Sequence, residues 1–168
     1  MDNRIIMVQR YLSPCGGLVL GSFDDKICLC DWEGGWHRQS TNLRLKRLLN
    51  AEFKEGNSDV IEIAHKQLDE YFHRERRDFD LPLLFVGTDF QKQVWSELLN
   101  IPYGTTISYG EMSRHLGMPK AVRALANANG ANAMSIIVPC HRVIGSDGSL
   151  TGYGGGLERK RFLLDLEK

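Results

Sequence analysis

The first third of the chain alternates short apolar runs with turn residues, the pattern of a small sheet. Residues 4–11, 17–23 and 26–32 are apolar-rich, and Pro14-Cys15-Gly16-Gly17 and Asp24-Asp25 punctuate them as turns. The period then changes. Residues 42–53 predict a helix, and Ser58-Asp59 opens a second one that puts Val60, Ala64, Leu68 and Tyr71 on one stripe. The charged run from Arg74 to Asp80, closing at Pro82, predicts a linker. It divides the chain into a first domain over residues 1–80 and a second over residues 81–168.

The second part reads as short, sharply punctuated helices. Thr88-x-x-Gln91 is a capping box, followed by an apolar stripe of Phe90, Val94 and Leu98. Ile101-Pro102-Tyr103-Gly104 ends that helix. Ser108-x-x-Glu111 caps another that runs to about Leu116. Gly117-Met118-Pro119 is a tight turn, and Pro119 suits the first turn of a third helix reaching about Asn129. Two short helices joined by such a turn make the helix-turn-helix pattern. The third helix is lined with small residues (Ala121, Ala124, Ala126, Ala128) and has one long side chain beyond its start, Arg123. A small outer face permits close approach to a partner surface, with Arg123 reaching into a groove. The same content also fits an Ala-rich packing helix with a solvated Arg.

Composition narrows the class. The chain has 168 residues and an ordinary soluble balance of apolar and charged groups. No apolar run approaches membrane-spanning length, and Ile5-Ile6-Met7-Val8 is too short for a signal-peptide core, so a cytoplasmic location is expected. Four cysteines, two of them as Cys28-x-Cys30, do not form a disulfide framework, and reduced thiols are expected. Net charge is zero. Residues 1–80 hold 12 Lys/Arg against 14 Asp/Glu and residues 81–168 hold 9 against 7, about −2 and +2. That asymmetry permits modest phosphate contacts on the second half without establishing them.

The chemistry concentrates in Pro139-Cys140-His141-Arg142-Val143. This run follows Ile136-Ile137-Val138, which reads as an apolar strand, and precedes a Gly-rich stretch over residues 145–156. A strand that ends at a proline can deliver Cys140 to the rim of a pocket beside an imidazole, where a thiol becomes a nucleophile. A buried structural thiol that happens to neighbour a histidine is the alternative.

Taken together, these pieces resemble the O6-alkylguanine-DNA alkyltransferases, the methylated-DNA–protein-cysteine methyltransferases. The residues that carry the resemblance are Ile107-Ser108-Tyr109, Arg123-Ala124, Asn132, the run into Pro139-Cys140-His141-Arg142-Val143, Tyr153-Gly154-Gly155-Gly156-Leu157, and Leu163-Leu164 followed by Glu167. It covers residues 88–168 strongly. Over residues 1–80 it is looser, mainly the Ser13-Pro14-x-Gly16 turn.

The resemblance implies an α/β (α+β) protein with a small ribonuclease-H-like N-terminal domain and a C-terminal winged helix-turn-helix. That protein would be a cytoplasmic, DNA-associated monomer (nuclear in a eukaryote) that needs no cofactor. Its partner would be double-stranded DNA carrying O6-alkylguanine, read from the minor groove with the lesion flipped out. Methyl on guanine O6, and on thymine O4 as well, would pass irreversibly to Cys140. In the same light His141 is the base, acting through a water and oriented by Glu167. Asn132 ties down the loop, and Tyr109 donates towards the departing guanine. Arg123 fills the gap in the duplex, with Tyr109, Ala121 and Ala124 also at the DNA. Val138, Val143, Tyr153 and Gly154 line the base pocket.

Some relatives carry a structural zinc. Cys15, Cys28, Cys30 and His37 are the candidates here, but their spacing is no zinc pattern, and no metal is expected. Two other function classes fit part of the pattern. A lesion sensor that recruits other factors would not need Cys140. A transcription regulator would need longer side chains than the third helix offers for reading base edges.

Overall fold

The computed structural model describes residues 4–35 and 38–168, so His37 lies outside the described residues. Three antiparallel strands come first, β1 (Ile5–Ser13), β2 (Gly16–Phe23) and β3 (Lys26–Trp32). Both hairpin turns match the sequence. Asp24 and Asp25 take φ of 53° and 61°, the left-handed pair that a tight two-residue hairpin requires.

Helix α1 spans Arg38–Leu49 and ends before the expected helix would. Residues 52–55 form instead a strand, β4 (Glu52–Glu55), which pairs in parallel with the start of β1. The sequence Glu-Phe-Lys-Glu has little strand propensity. The unpaired edge of β1 recruits it, and long-range hydrogen bonding overrides local preference. The sheet order is β3-β2-β1-β4.

Helix α2 (Asp59–Phe72) packs across the sheet with Val60, Ala64, Leu68 and Tyr71 buried, as its stripe predicts. Ser58 caps it, accepting from the Ile61 amide. The segment after α2 is tied back: the Gln67 side chain donates to the Asp80 carbonyl at 3.0 Å and accepts from its amide at 2.9 Å. Residues 82–84 then run along the outer edge of β3, where the Ile27 amide donates to the Pro82 carbonyl and the Leu84 amide to Ile27.

Helix α3 (Asp89–Leu98) opens on the Thr88/Gln91 capping box, with both reciprocal bonds formed. A short strand β5 (Ile107–Ser108) leads into α4 (Tyr109–His115). Helix α5 (Val122–Gly130) completes the helix-turn-helix. It starts at Val122 and not near Pro119, because residues 119–120 form their own turn and Ser113 Oγ fastens α4 to the Met118 carbonyl. Ala128 and Asn129 therefore point inward. The exposed side of α5 carries Val122, Arg123, Ala124 and Asn127.

The run Ile136-Ile137-Val138 is no strand. It forms a buried turn in which Ile136 has a φ of 72°, a conformation that a β-branched residue adopts only at a cost. A 3-10 turn (Cys140–Arg142) follows, then β6 (Val143–Ile144), which pairs in parallel with β5. Helix α6 (Leu157–Leu166) closes the chain. The architecture is mixed α/β, as expected, with six α-helices among the described residues, of which α6 was not read from the sequence. None of the described helices is long and apolar enough to cross a membrane.

Replacing Ser58 with Ala removes the α2 cap and the Ser22–Ser58 hydroxyl contact. The expected cost is about 1–2 kcal/mol, read as a fall of several degrees in the thermal midpoint with the fold unchanged by circular dichroism.

Candidate active site

Two pairings bring the site together. The β5–β6 pair sets Tyr109, the first residue of α4, beside the turn that holds Cys140. The outer edge of β3 is filled by the loop leading to Cys140, since the Cys30 amide donates to the Ala133 carbonyl at 2.8 Å and the Ser135 amide donates to Cys30 at 2.7 Å. The N-terminal sheet thus forms one wall of the site.

Cys140 is 5% exposed. Asn132 shapes the loop around it, donating from Nδ2 to the Val138 carbonyl at 2.9 Å and accepting from the Met134 amide at 3.0 Å. Burial pushes the Cys140 thiol up to about 11. A hydrogen bond from Asn132 and the Lys160 charge pull it down, and the Asp31 carboxylate adds to the rise. At neutral pH the thiolate fraction is on the order of one in ten thousand.

His141 is fully buried, and its Nε2 donates to Glu167 Oε2 at 2.7 Å. Burial lowers its affinity for a proton, and the hydrogen bond and charge of Glu167 only partly restore it, so the ring is neutral near pH 7. Because Nε2 carries the hydrogen, the lone pair lies on Nδ1, which is buried and has no protein partner. The proton-accepting nitrogen is therefore Nδ1.

Glu167, one residue from the end of the sequence, is the most heavily bonded carboxylate of the site. Oε2 also accepts from the Tyr71 hydroxyl at 2.5 Å and from Arg142 Nη2 at 3.0 Å, and Oε1 accepts from Arg142 Nε at 2.8 Å. Arg142 Nη1 donates to the Ile101 carbonyl at 2.7 Å. Burial favours protonation of Glu167, but hydrogen bonds from His141, Arg142 and Tyr71 outweigh it. They hold the carboxyl well below the usual carboxylate range.

Above the thiol lie two adjoining spaces. A groove of about 810 Å³ is lined by Tyr109, Val122, Arg123, Ala126, Asn127 and residues 151–154. Adjoining it, and sharing Gly130, Gly152, Tyr153 and Gly154, is a narrow cavity at Cys140 of about 10 Å³, the room of about one water. Tyr153 is held by the Trp32 indole, which donates to its hydroxyl at 3.0 Å. Gly155 packs so closely on Trp32 that a Cβ there would lie 2.5 Å from the indole ring.

Cys140 and Asn132 line the cavity, Tyr109 and Arg123 line the groove, and Tyr153 and Gly154 line both, whereas His141 and Glu167, paired with each other, line neither. Ala124 is exposed and Ala121 half-buried, and neither is among the groove-lining residues. Val138 and Val143 are fully buried and do not line the groove or the cavity.

Sequence reading assigned no role to five residues at the site. Asn129 donates to Tyr109 Oη and to the Cys140 carbonyl, both at 3.4 Å. Lys160 is completely buried and donates to the carbonyls of Val143 at 2.6 Å and Thr151 at 2.8 Å, fixing the Gly-rich loop. Burial lowers its ammonium to about 8. Arg142 sits inside the motif beside His141, which was a usable signal. Tyr71 and Asp31 gave none, since they reach the site only through the fold. Of the zinc candidates within the described residues, Cys28 and Cys30 lie buried in β3, where burial raises both thiols, and Cys15 sits in the first hairpin turn.

A buried thiol and a neutral histidine held by a carboxylate thus adjoin a groove on a helix-turn-helix. Residues 89–168 match the family model for the DNA-binding domain of 6-O-methylguanine DNA methyltransferase. The methylated-DNA–protein-cysteine methyltransferase of Mycolicibacterium paratuberculosis is 54% identical over 159 residues, which cover 93% of this chain and 88% of that one. That of Mycobacterium bovis is 60% identical over 105 residues, 62% of this chain and 64% of the relative's length. The crystal structure of the Mycobacterium tuberculosis O6-methylguanine methyltransferase superposes with a TM-score of 0.81 at 43% identity, covering 97% of this chain and 93% of that one. The same organism's OGT in complex with DNA gives 0.82 at 41%, covering 98% and 92%. The chain belongs to the methylated-DNA–protein-cysteine methyltransferase family.

Glu167→Gln leaves the Arg142 guanidinium buried without its anion. The expected loss is about 3–5 kcal/mol, measured by denaturant unfolding at neutral pH. The pH dependence carries a sign. Because folding depresses this carboxyl, its stabilisation is fully present above its unfolded value of about 4.3 and is lost as pH falls below it. The variant therefore loses less stability than the parent on acidification.

Proposed function

We propose that this chain is a single-turnover DNA repair protein that moves an alkyl group from guanine O6, and from thymine O4, onto Cys140. The observation that carries the reading is the thiol at the floor of a narrow cavity, opening towards a groove on α5, with the neutral His141–Glu167 pair behind it. The M. tuberculosis relative solved with DNA supports duplex DNA as the partner. The protein acts as a monomer and needs no cofactor.

On this reading α5 lies against the duplex, Arg123 takes the gap left by the extruded nucleotide, and the base enters between α5 and residues 151–154. The cavity is too small for an alkylated base edge, so base entry displaces the Gly152–Gly154 segment from the thiol. His141 Nδ1 takes the thiol proton through a bridging water, and Glu167 stabilises the imidazolium that results. The sulfur then attacks the alkyl carbon. A C–S bond forms, the C–O bond breaks with its electron pair going to the guanine, and Tyr109 supplies a proton so that the base leaves neutral. The thioether is inert to hydrolysis, so Cys140 is consumed. Keeping the resting thiol protonated fits this role, because a permanently reactive sulfur would be spent on other electrophiles. A lesion sensor without transfer is the weaker reading, since it leaves Cys140 and its base without purpose.

Incubation with a duplex containing O6-methylguanine should add one methyl to the Cys140 peptide, read by mass spectrometry. Cys140→Ala should bind the same duplex and acquire none. Repaired DNA beside an unmodified Cys140 would sink the proposal. Without DNA, iodoacetamide should label Cys140 slowly at pH 7 and progressively faster towards the thiol's elevated value near 11.

A further inference from the structure

One side-chain amide joins the tyrosine of the groove to the backbone of the thiol residue. Asn129, in the last turn of α5, is 2% exposed and lines the cavity at Cys140. Its Nδ2 donates to Tyr109 Oη and to the Cys140 carbonyl, both at 3.4 Å. A carbonyl only accepts, so the nitrogen of this amide must face Cys140, and Tyr109 Oη lies on the same side. Oδ1 is buried and has no protein partner. A half-satisfied buried amide costs free energy that an apolar residue would avoid, so packing alone gives no reason for an asparagine here. The end of the helix is held in place by Trp95, whose indole donates to the Ala128 carbonyl at 2.8 Å.

Because Tyr109 Oη accepts from Asn129, its own hydrogen points elsewhere. The carbonyls within reach are Thr151 at 3.4 Å and Gly152 at 3.5 Å. Both bonds are long, and Gly152 lies in the segment that base entry displaces, whereas Asn129 stays with α5. Resting on the transfer reading above, we infer that Asn129 is a positioning residue for proton delivery: by donating to the Tyr109 oxygen it turns the hydroxyl hydrogen towards the incoming base and stabilises the phenolate left when that proton is given. As the C–O bond breaks, its electron pair goes to the guanine. The O–H bond of Tyr109 breaks, its proton passes to the base, and the phenolate regains a proton from water once the base has left. A hydrogen bond to an anionic oxygen is stronger than one to a neutral hydroxyl, so the Asn129 contact strengthens as the proton departs. Burial, and after it Cys140, raise the Tyr109 hydroxyl above its ordinary value, and the Asn129 hydrogen bond lowers it. Lys160 Nζ lies 6.0 Å from the ring centre and is committed to the Val143 and Thr151 carbonyls. Among the described residues, Asn129 is the side chain that donates to the Tyr109 oxygen.

The test is a double-mutant cycle on the full chain with a duplex containing O6-methylguanine. Single-turnover methyl transfer to Cys140 is timed by mass spectrometry for the parent, Asn129→Leu, Tyr109→Phe and the double variant. Leucine is close to asparagine in volume and removes both amide hydrogens. Asn129→Leu is expected to slow the parent by about tenfold or more, the worth of a hydrogen bond to a charged oxygen. In the Tyr109→Phe background the same substitution is expected to leave the rate nearly unchanged, because there is no hydroxyl to position. Equal losses in the two backgrounds would mean that Asn129 acts on the thiol or on the fold, and would overturn the inference. So would Asn129→Leu at the parental rate. Should Asn129→Leu not fold, Asn129→Ala is read in its place, in both backgrounds and by the same criterion. Tyr109→Phe as fast as the parent removes Tyr109 as proton donor and the inference with it. A parent protein that transfers no methyl refutes the transfer reading itself, a separate result.

Discussion

The structure depends on one buried carboxylate. Glu167 closes the chain against Tyr71 of α2, His141 and Arg142, so that one side chain joins the first helix layer, the reactive turn and the C-terminal helix. Three charged or polar partners in a water-poor site are costly to bury singly and tolerable only together. The carboxylate fixes the imidazole tautomer, neutralises Arg142 and holds α6, whose Lys160 in turn fixes the loop above the thiol. Fold integrity and proton handling therefore rest on the same group.

The resting state is set against reactivity. Burial keeps Cys140 protonated and His141 neutral, and the cavity at the sulfur has room for about one water. On the proposed function, reaction requires a base to press in against the Gly-rich loop. Reactivity is thereby tied to the arrival of the correct partner, which suits a sulfur that is used once. The N-terminal sheet takes part in this control. Its β3 edge carries the loop that precedes Cys140, its Trp32 anchors Tyr153, and its Asp31 faces the cavity.

Much of the fold was legible wherever local physics decides. The hairpin turns, the Ser58 cap, the Thr88 capping box and the α2 stripe all follow from residue types within a few positions. The errors fell where distant contacts override propensity. Residues 52–55 became a strand because β1 had a free edge. Ile136-Ile137-Val138 became a turn, despite its β-branched content, because the loop bonds to β3 on one side and must bring Cys140 round on the other. The start of α5 moved to Val122 because the turn before it is fastened to α4.

The sequence by itself determined which groups are candidates for the chemistry: a thiol next to an imidazole, a tyrosine opening a capped helix, an arginine on a small-faced helix, and a terminal glutamate in family order. Such information is carried by residue identity and short spacing. Tertiary structure alone decided how those atoms behave. Whether the thiol is charged, which imidazole nitrogen is basic, and which carboxylate faces the cavity depend on burial and on partners far along the chain. Tyr71 lies 96 positions from Glu167, and Trp32 lies 121 from Tyr153. Desolvation and hydrogen bonding act through space, and no local pattern encodes them.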